Sequence, residues 1–393
     1  MSVITPLLTE KEKARFLEAA RLGGLWYVHN QNAPGRPWGG VDGAADTGRF
    51  IYEYFPATGQ CRGMGVWGQA LAVCGLYALA KAPSPDGIDF KAAAELGAGY
   101  LLSLQMLDSR RPKAFGGFRE QTPQTTWSYP RDAATGCYAL AQLHRETGKA
   151  DYLERANLFC EWYRRHGSGA AGWPHDYFDF ETGEGDCKIP GDWQTGGSLA
   201  YYYTARAAGD RKWLEEGFRP AMEQLLTVGD PTDAGYHPHL WHGECRITTG
   251  NGDFSNVALA AAFLAFEDER YLALLRRKLE LLLSLQDADG SLPNYGSTFV
   301  FALEALDFLE IAKAMKLPDK TDRLTDALLR AARFGLTIQE TTLRDRRAYG
   351  GTYGQASFGV SRDRVHHRDT SYGMHLYLRL AGYEAPVLSA TGW

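Results

Sequence analysis

A unit of about 60 residues recurs six times along the chain, and no other feature restricts the fold as strongly. Each unit holds a long amphipathic helix, a Gly-aromatic loop, and a polar segment rich in Trp, Tyr and Asp. A second helix rich in Ala, Gly, Leu and Tyr closes it. The spacing predicts first helices over 9–31, 89–106, 149–166, 210–227, 268–287 and 319–339. Second helices are predicted over 64–80, 132–146, 194–208, 254–267, 297–316 and 369–382. First helices carry charge on one face: RYLALLRRKLELLLSL, from Arg270 to Leu285, repeats apolar residues at i, i+3, i+4 and i+7. Second helices are nearly uncharged, as in VWGQALAVCGLYALA and NVALAAAFLAF, and a helix apolar on every side is buried on every side. An outer ring of amphipathic helices around an inner ring of apolar ones satisfies both patterns. The expected fold is therefore all-α, an (α/α)6 toroid of six helical hairpins, with strands largely absent. Each hairpin buries its apolar face only against its neighbours, so residues 1–393 are expected to form a single domain.

The links after the first helices share a signature. Gln31 precedes Trp38-Gly39-Gly40, Gln105 precedes Gly116-Gly117-Phe118, Gln286 precedes Asp289-Gly290, and Gln339 precedes Gly350-Gly351. Glycine there permits the positive φ that ends a helix and reverses the chain. This pattern resembles the repeat of terpenoid-cyclase and protein-prenyltransferase toroids. It also resembles the α/α barrels of polysaccharide lyases and some glycoside hydrolases, along nearly the whole chain.

Charge and hydropathy exclude several classes. Forty-two basic against 47 acidic residues give a net charge of −5 with no long basic run, so no nucleic-acid partner is expected. No stretch approaches the roughly 18 apolar residues of a transmembrane helix, so no membrane partner is expected either. The N-terminus turns charged and helical at once and lacks an apolar signal core, which reads as cytoplasmic unless a leader was removed. The six cysteines show no CxxC spacing; Cys74, Cys137 and Cys160 lie in apolar helical patterns and read as buried thiols in a reduced compartment. Oligomeric state depends on outer-ring surface that sequence does not map.

In a toroid, the loops leading into the inner helices converge on one end of the central cavity. Here they are strongly aromatic and polar. Asp132, Asp192, Asp253 and Asp369 each fall at or near an inner-helix start. They read either as carboxylates for acid/base work on a glycosidic bond or as helix N-caps. Six of ten histidines (His175, His237, His239, His242, His366, His367) fall in predicted loops on this side. In YHPHLWHGECR, the imidazoles of His237, His239 and His242 with the Cys245 thiol would suit zinc, but HxHxxH lacks the spacing of the strong zinc motifs. No cofactor is expected, and the histidines read as bases or as partners of a substrate carboxylate.

Tyr295, in DADGSLPNYGST, resembles the DG-then-Tyr region of α/α-barrel polysaccharide lyases, in which a Tyr and a His from separate hairpins act together. That resemblance implies β-elimination from a uronate, with Tyr295 returning a proton to the leaving oxygen and His239 or His242 as its partner. Arg131, Arg246, Arg368, Asn256, Asn294 and His367 would hold the substrate carboxylate. Trp127, Trp193 and Trp241 would stack on sugar faces. The favoured reading is a carbohydrate-active enzyme acting on an anionic saccharide by elimination. The main alternative is a glycoside hydrolase, of the unsaturated-uronide type for example, using two of the four aspartates. A terpenoid-cyclase-like enzyme is a further alternative, although the DxDD-type acid motif is absent and the loops mix Trp with charged groups. A non-catalytic sugar-binding toroid is the last.

Overall fold

The computed structural model describes residues 3–34, 46–84, 87–169, 174–186, 196–228, 240–241, 244–245, 254–292, 297–317, 321–356 and 359–393. Among them are twelve α-helices, alternating between amphipathic and apolar as the repeat predicts. The first helices are α1 (Glu10–Asn30), α3 (Phe90–Ser103), α5 (Ala150–Trp162), α7 (Arg219–Val228), α9 (Glu269–Leu285) and α11 (Asp322–Thr337). The second are α2 (Val66–Leu79), α4 (Pro130–Thr147), α6 (Leu199–Ala208), α8 (Ser255–Phe266), α10 (Thr298–Ala314) and α12 (His367–Leu380). The second set is buried almost throughout: every residue of α10 from Thr298 to Leu309 is inside, Glu304 and Asp307 included.

Two outer helices depart from the predicted regularity. The one predicted over 149–166 ends in a π-helical turn, Tyr163–Gly167, and the one predicted over 210–227 begins with another, Leu214–Phe218. Strands are also more numerous than expected. A four-stranded sheet runs β2 (Gln60–Gly63), β1 (Ile51–Phe55), β9 (Gly359–His366), β8 (Tyr353–Ala356). A three-stranded sheet runs β3 (Trp127–Ser128), β4 (Tyr177–Asp179), β5 (Glu184–Asp186), and β6 (Leu240–Trp241) pairs with β7 (Glu244–Cys245). All lie in links from a first helix to a second, and pairings such as Glu53↔His366 join the link before α2 to the link before α12.

By compactness the chain divides into two units. Met1–Met64, Leu71–Tyr100 and Leu279–Gly392 form the first; Gly65–Ala70, Leu101–Lys278 and Trp393 form the second. In the first unit, α1 lies on α12, with Phe16 stacked on Tyr377 at 5.4 Å between ring centroids. A Thr9–Glu12 capping box starts α1. In the second unit, α4 packs on α5 and α6, where Tyr138 meets Tyr203 edge-on and the free thiols Cys137 and Cys160 are buried. Among the described residues no helix is long and apolar enough to cross a membrane.

The Gln-Gly signature is a repeated clamp. Each glutamine donates its Nε2 to two carbonyls, one on a glycine in the following link and one inside the next first helix. Gln31 bridges Gly48 and Ala93, Gln105 bridges Gly116 and Arg155, Gln286 bridges Gly290 and Ala327, and Gln339 bridges Gly350 and Ala19. A helical carbonyl keeps a second lone pair for such a donor. At each clamp the glycine has φ between 85° and 99°, and a Cβ on it would strike the carbonyl one turn further along that same helix: Leu96, Leu158, Arg330 or Leu22. In the first link the glycine that does this is Gly48; the pair Gly39-Gly40 lies outside the described residues.

Gly116 and Gly148 separate the two costs of losing a glycine, because both have positive φ but Gly148 has open space where its Cβ would go. Gly148→Ala is expected to cost about 1–2 kcal/mol from the backbone conformation alone. Gly116→Ala, which also drives a methyl into the Leu158 carbonyl, is expected to cost roughly 3 kcal/mol or more. Urea unfolding of both variants tests this, and equal losses would show that the close approach is not needed.

Candidate active site

In the second unit, the link between α3 and α4 carries a carboxylate cluster. After the bridge between Phe118 and Gln105, the Arg119 N–H donates to the Leu104 carbonyl and the Glu120 N–H to the Trp127 carbonyl. The Glu120 carbonyl accepts from the N–H of Val66, the first residue of α2. The Glu120 side chain is buried at 6% exposure, with Oε2 accepting from the Tyr129 N–H at 3.3 Å. Gly65 makes room for it: a Cβ there would lie 3.0 Å from Glu120 Oε1. Asp132, third residue of α4, is ion-paired with Arg131 at 2.6 Å and stays partly accessible.

Burial holds the Glu120 carboxyl well above the usual carboxylate range, and the neighbouring Asp132 charge adds to the effect. The Tyr129 N–H and Arg131 oppose it without reversing it. Glu120 therefore holds its proton more firmly than an ordinary carboxyl, beside an ion-paired carboxylate. Both also push the Tyr129 phenol up, after burial, which places its ring beside the pair. Trp127 stacks on Tyr177 at 5.8 Å and meets Tyr129 at 4.8 Å. Tyr129 is 43% exposed, so this aromatic surface faces solvent next to the carboxyls. Under Arg131, the π-helical turn sets Tyr163 against Gly197, whose missing side chain gives the phenol its space.

The first unit holds a second polar cluster at the start of α12. His366 is its N-cap, with Nδ1 accepting the Arg368 N–H at 3.1 Å. His367 Nδ1 lies 2.6 Å from the Tyr27 hydroxyl, and Tyr52 packs edge-on against His366. Asp369 accepts from Ser297 Oγ at 2.8 Å, and Glu53 is held between Arg62 and Arg364. Burial first, then nearby arginines, pushes His366 and His367 well below their ordinary range, so both imidazoles are neutral.

Several expectations are corrected here. His366 and His367 are not loop histidines: β9 ends on the first and α12 starts on the second, and both are buried. Asp132 and Asp369 do not cap their helices. Each is the third helical residue, and the N-caps are Tyr129 and His366. Asn256 is buried in the first turn of α8, and Arg368 occupies the second position of α12. Trp241 lies in β6. The expected catalytic set, Tyr295 with His239 and His242, lies outside the described residues, as do His237, Arg246, Asn294, Asp192, Trp193 and Asp253. Among the described residues no group of three or more His, Cys, Asp or Glu is arranged to hold a metal ion. Glu120 was missed altogether. A cavity of about 550 Å³ lies in the first unit beside Glu310, Arg379 and Tyr383, where buried Arg379 is committed to Asp307 and Glu310.

No protein-family profile matches the chain, and no curated protein sequence matches it. Solved structures do resemble it. An unsaturated glucuronyl hydrolase specific for heparin superposes with a TM-score of 0.64 at 10% identity, over 93% of this chain and 96% of that one. A glycoside hydrolase family 76 α-mannanase from Bacteroides thetaiotaomicron gives 0.63 at 14% identity, over 96% and 97%. Cellobiose 2-epimerase from Bacillus thermoamylovorans gives 0.63 at 13% identity, over 84% and 92%. The all-α toroid fold expected from the repeat is the fold of this chain.

The raised pKa of Glu120 has a measurable consequence. Its folded pKa is raised, so its stabilising effect is complete below the unfolded value near 4.5 and is lost as pH rises from there toward the folded value. The slope for one group is about 1.4 kcal/mol per pH unit. Glu120→Gln copies the protonated shape and removes the titration. Unfolding free energies of the two proteins should therefore diverge as pH rises above about 4.5, with the variant gaining relative to the parent. Parallel profiles would mean that Glu120 ionises normally.

Proposed function

We propose that the chain is a glycoside hydrolase whose acid is Glu120 and whose second carboxylate is Asp132. The observation that carries this reading is the pairing of a buried Glu120, its carboxyl held above the usual range, with an ion-paired Asp132 beside the Trp127–Tyr129–Tyr177 surface. Two carboxyls in unlike environments, one excluded from water and one ion-paired, suit the hydrolysis of an acetal. The Glu120 O–H gives its proton to the leaving glycosidic oxygen as the C1–O bond breaks. Asp132 either takes a proton from the attacking water or bonds C1 itself, according to the spacing of the carboxyls. The aromatic surface would seat the apolar face of a sugar ring. Structural likeness to a glucuronyl hydrolase and a mannanase supports the class of reaction. The elimination reading depends on Tyr295, His239 and His242, and it gains no support from the described geometry.

One observation favours a second reading. The neutral His367, tied to Tyr27, is suited to moving a proton at carbon next to a sugar carbonyl, and an epimerase is among the structural neighbours. Solvent deuterium would enter the product of such a reaction at carbon, whereas hydrolysis releases new reducing ends.

Reducing-end release from a panel of oligosaccharides, neutral and uronate-containing, tests the main reading. Glu120→Gln and Asp132→Asn should each lower kcat by about 10²–10⁴ with little change in KM. Undiminished kcat in both variants would sink it. Carbon-bound deuterium without bond cleavage would establish the second reading instead.

A further inference from the structure

The link from α3 to β3 carries more positive charge than the carboxylate cluster uses. SRRPKAFGGFR, residues 109–119, holds Arg110, Arg111, Lys113 and Arg119 and no acidic residue. Only Arg110 is committed, donating from Nε and Nη2 to the two oxygens of Asp108 at 2.8 and 2.9 Å. Arg111 and Arg119 line a cavity of about 280 Å³ in the second unit. Neither guanidinium makes a hydrogen bond or ion pair among the described residues. Arg119 is only partly exposed, and burial followed by the charge of Arg111 makes it a weaker base than usual. Two like charges held together repel, Asp108 is already bound to Arg110 and offsets Arg111 only in part, and a bound oxyanion would remove the remaining cost.

The rest of the lining fits a sugar better than a bare ion. Met106 and Phe180 provide apolar floor, and the exposed Thr126 hydroxyl and Gln124 amide add neutral donors. The volume is close to the lower end for small-molecule sites, about 300 Å³. Two carboxylates also reach the lining: Asp108 is already neutralised by Arg110, and Glu181 alone opposes an anion.

The cavity is built on residues that adjoin those of the candidate active site. Arg119, which lines the cavity, directly precedes Glu120 in the chain. Thr126 lines the cavity and Trp127 the aromatic surface. Phe180 hydrogen-bonds the Thr126 carbonyl at 2.8 Å, and Tyr177, three residues earlier, stacks on Trp127. A chain lying along Trp127 and Tyr177 meets the cavity at the adjoining residues of both strands.

We propose that this cavity is a subsite that binds the acidic group, a carboxylate or sulfate, of a saccharide chain, with Arg111 and Arg119 as its cationic donors. The proposal rests on the reading of the protein as saccharide-binding, but not on its reaction. Isothermal titration of the full chain with a glucuronate-containing oligosaccharide, its neutral glucose counterpart and inorganic sulfate tests it without turnover. The acidic oligosaccharide should bind at least about tenfold tighter than the neutral one. Arg111→Ala and Arg119→Ala should erase that preference and leave neutral binding in place, whereas Arg119→Lys should retain part of it. Unchanged melting temperatures would show that the variants fold.

Preference that survives both alanine substitutions overturns the assignment, as does failure of the parent protein to prefer the acidic ligand. Sulfate binding as tight as the oligosaccharide overturns its saccharide half and leaves a simple oxyanion site. The preference should persist in Glu120→Gln, so a protein that prefers acidic saccharide but hydrolyses none refutes the reaction and not the subsite.

Discussion

The bridge from a glutamine amide to two carbonyls is the interaction on which the regularity of this fold depends. Apolar contact between helices is non-directional, and packed ridges tolerate sliding by a residue or more. The clamp removes that freedom. One amide nitrogen ties a glycine to a chosen turn of the next outer helix, and the glycine's bare Cα rests against the carbonyl one turn on. Each hydrogen bond contributes about 1 kcal/mol. The larger effect is geometric, because one contact fixes both the height of the next hairpin and the point from which the following link departs.

That point matters for the chemistry. In the second unit, Gly116 is clamped by Gln105, and Glu120 follows only four residues later. The carboxyl thus comes off a link whose origin is tied to α5, and it arrives against the first turn of α2, where Gly65 leaves it space. Nothing about a glutamate by itself dictates a raised pKa. Exclusion from water and one nearby carboxylate do, and both depend on backbone placed by the clamp. The Trp127–Tyr177 stack belongs to the same device, since β3 and β4 are the strands that close over this link.

Helix positions were legible because their cause is local. A 3.6-residue apolar period and an all-apolar run both survive translation into three dimensions, and ten of the twelve helices begin within three residues of the expected point, the starts of α6 and α7 being the ones displaced. The strands were not legible, although IYEYF and QCRG flank Ala57-Thr58-Gly59 with the aromatic residues and turn glycine of a hairpin. Asp132 could be found because it stands before an apolar run. Its role could not, since sequence offers capping and catalysis equally, and only the helix start at Pro130 removes capping. Glu120 had no readable signal at all. In FGGFREQTPQ it looks like one more solvated loop charge, and the burial that changes its chemistry comes from Val66 and Tyr129, distant or unremarkable in the chain. His366 misled for the opposite reason: a histidine beside an arginine before a helix suggests an open mouth, whereas the sheet pairing with Glu53 closes over it.

The clamp of Gln339 has a consequence of its own. Its second acceptor is Ala19, in the first helix of the chain, and its glycine rests on Leu22. The seam between the last hairpin and the first is therefore joined by the same bond as three of the interior joints, and the clamp registers no beginning or end of the polypeptide. Covalent order and structural order are separable at this seam. A circular permutant opened in another link, with the present termini tethered, would inherit every clamp unchanged. Gene-level rearrangement is thus a route by which such a ring can vary its links while keeping its helices.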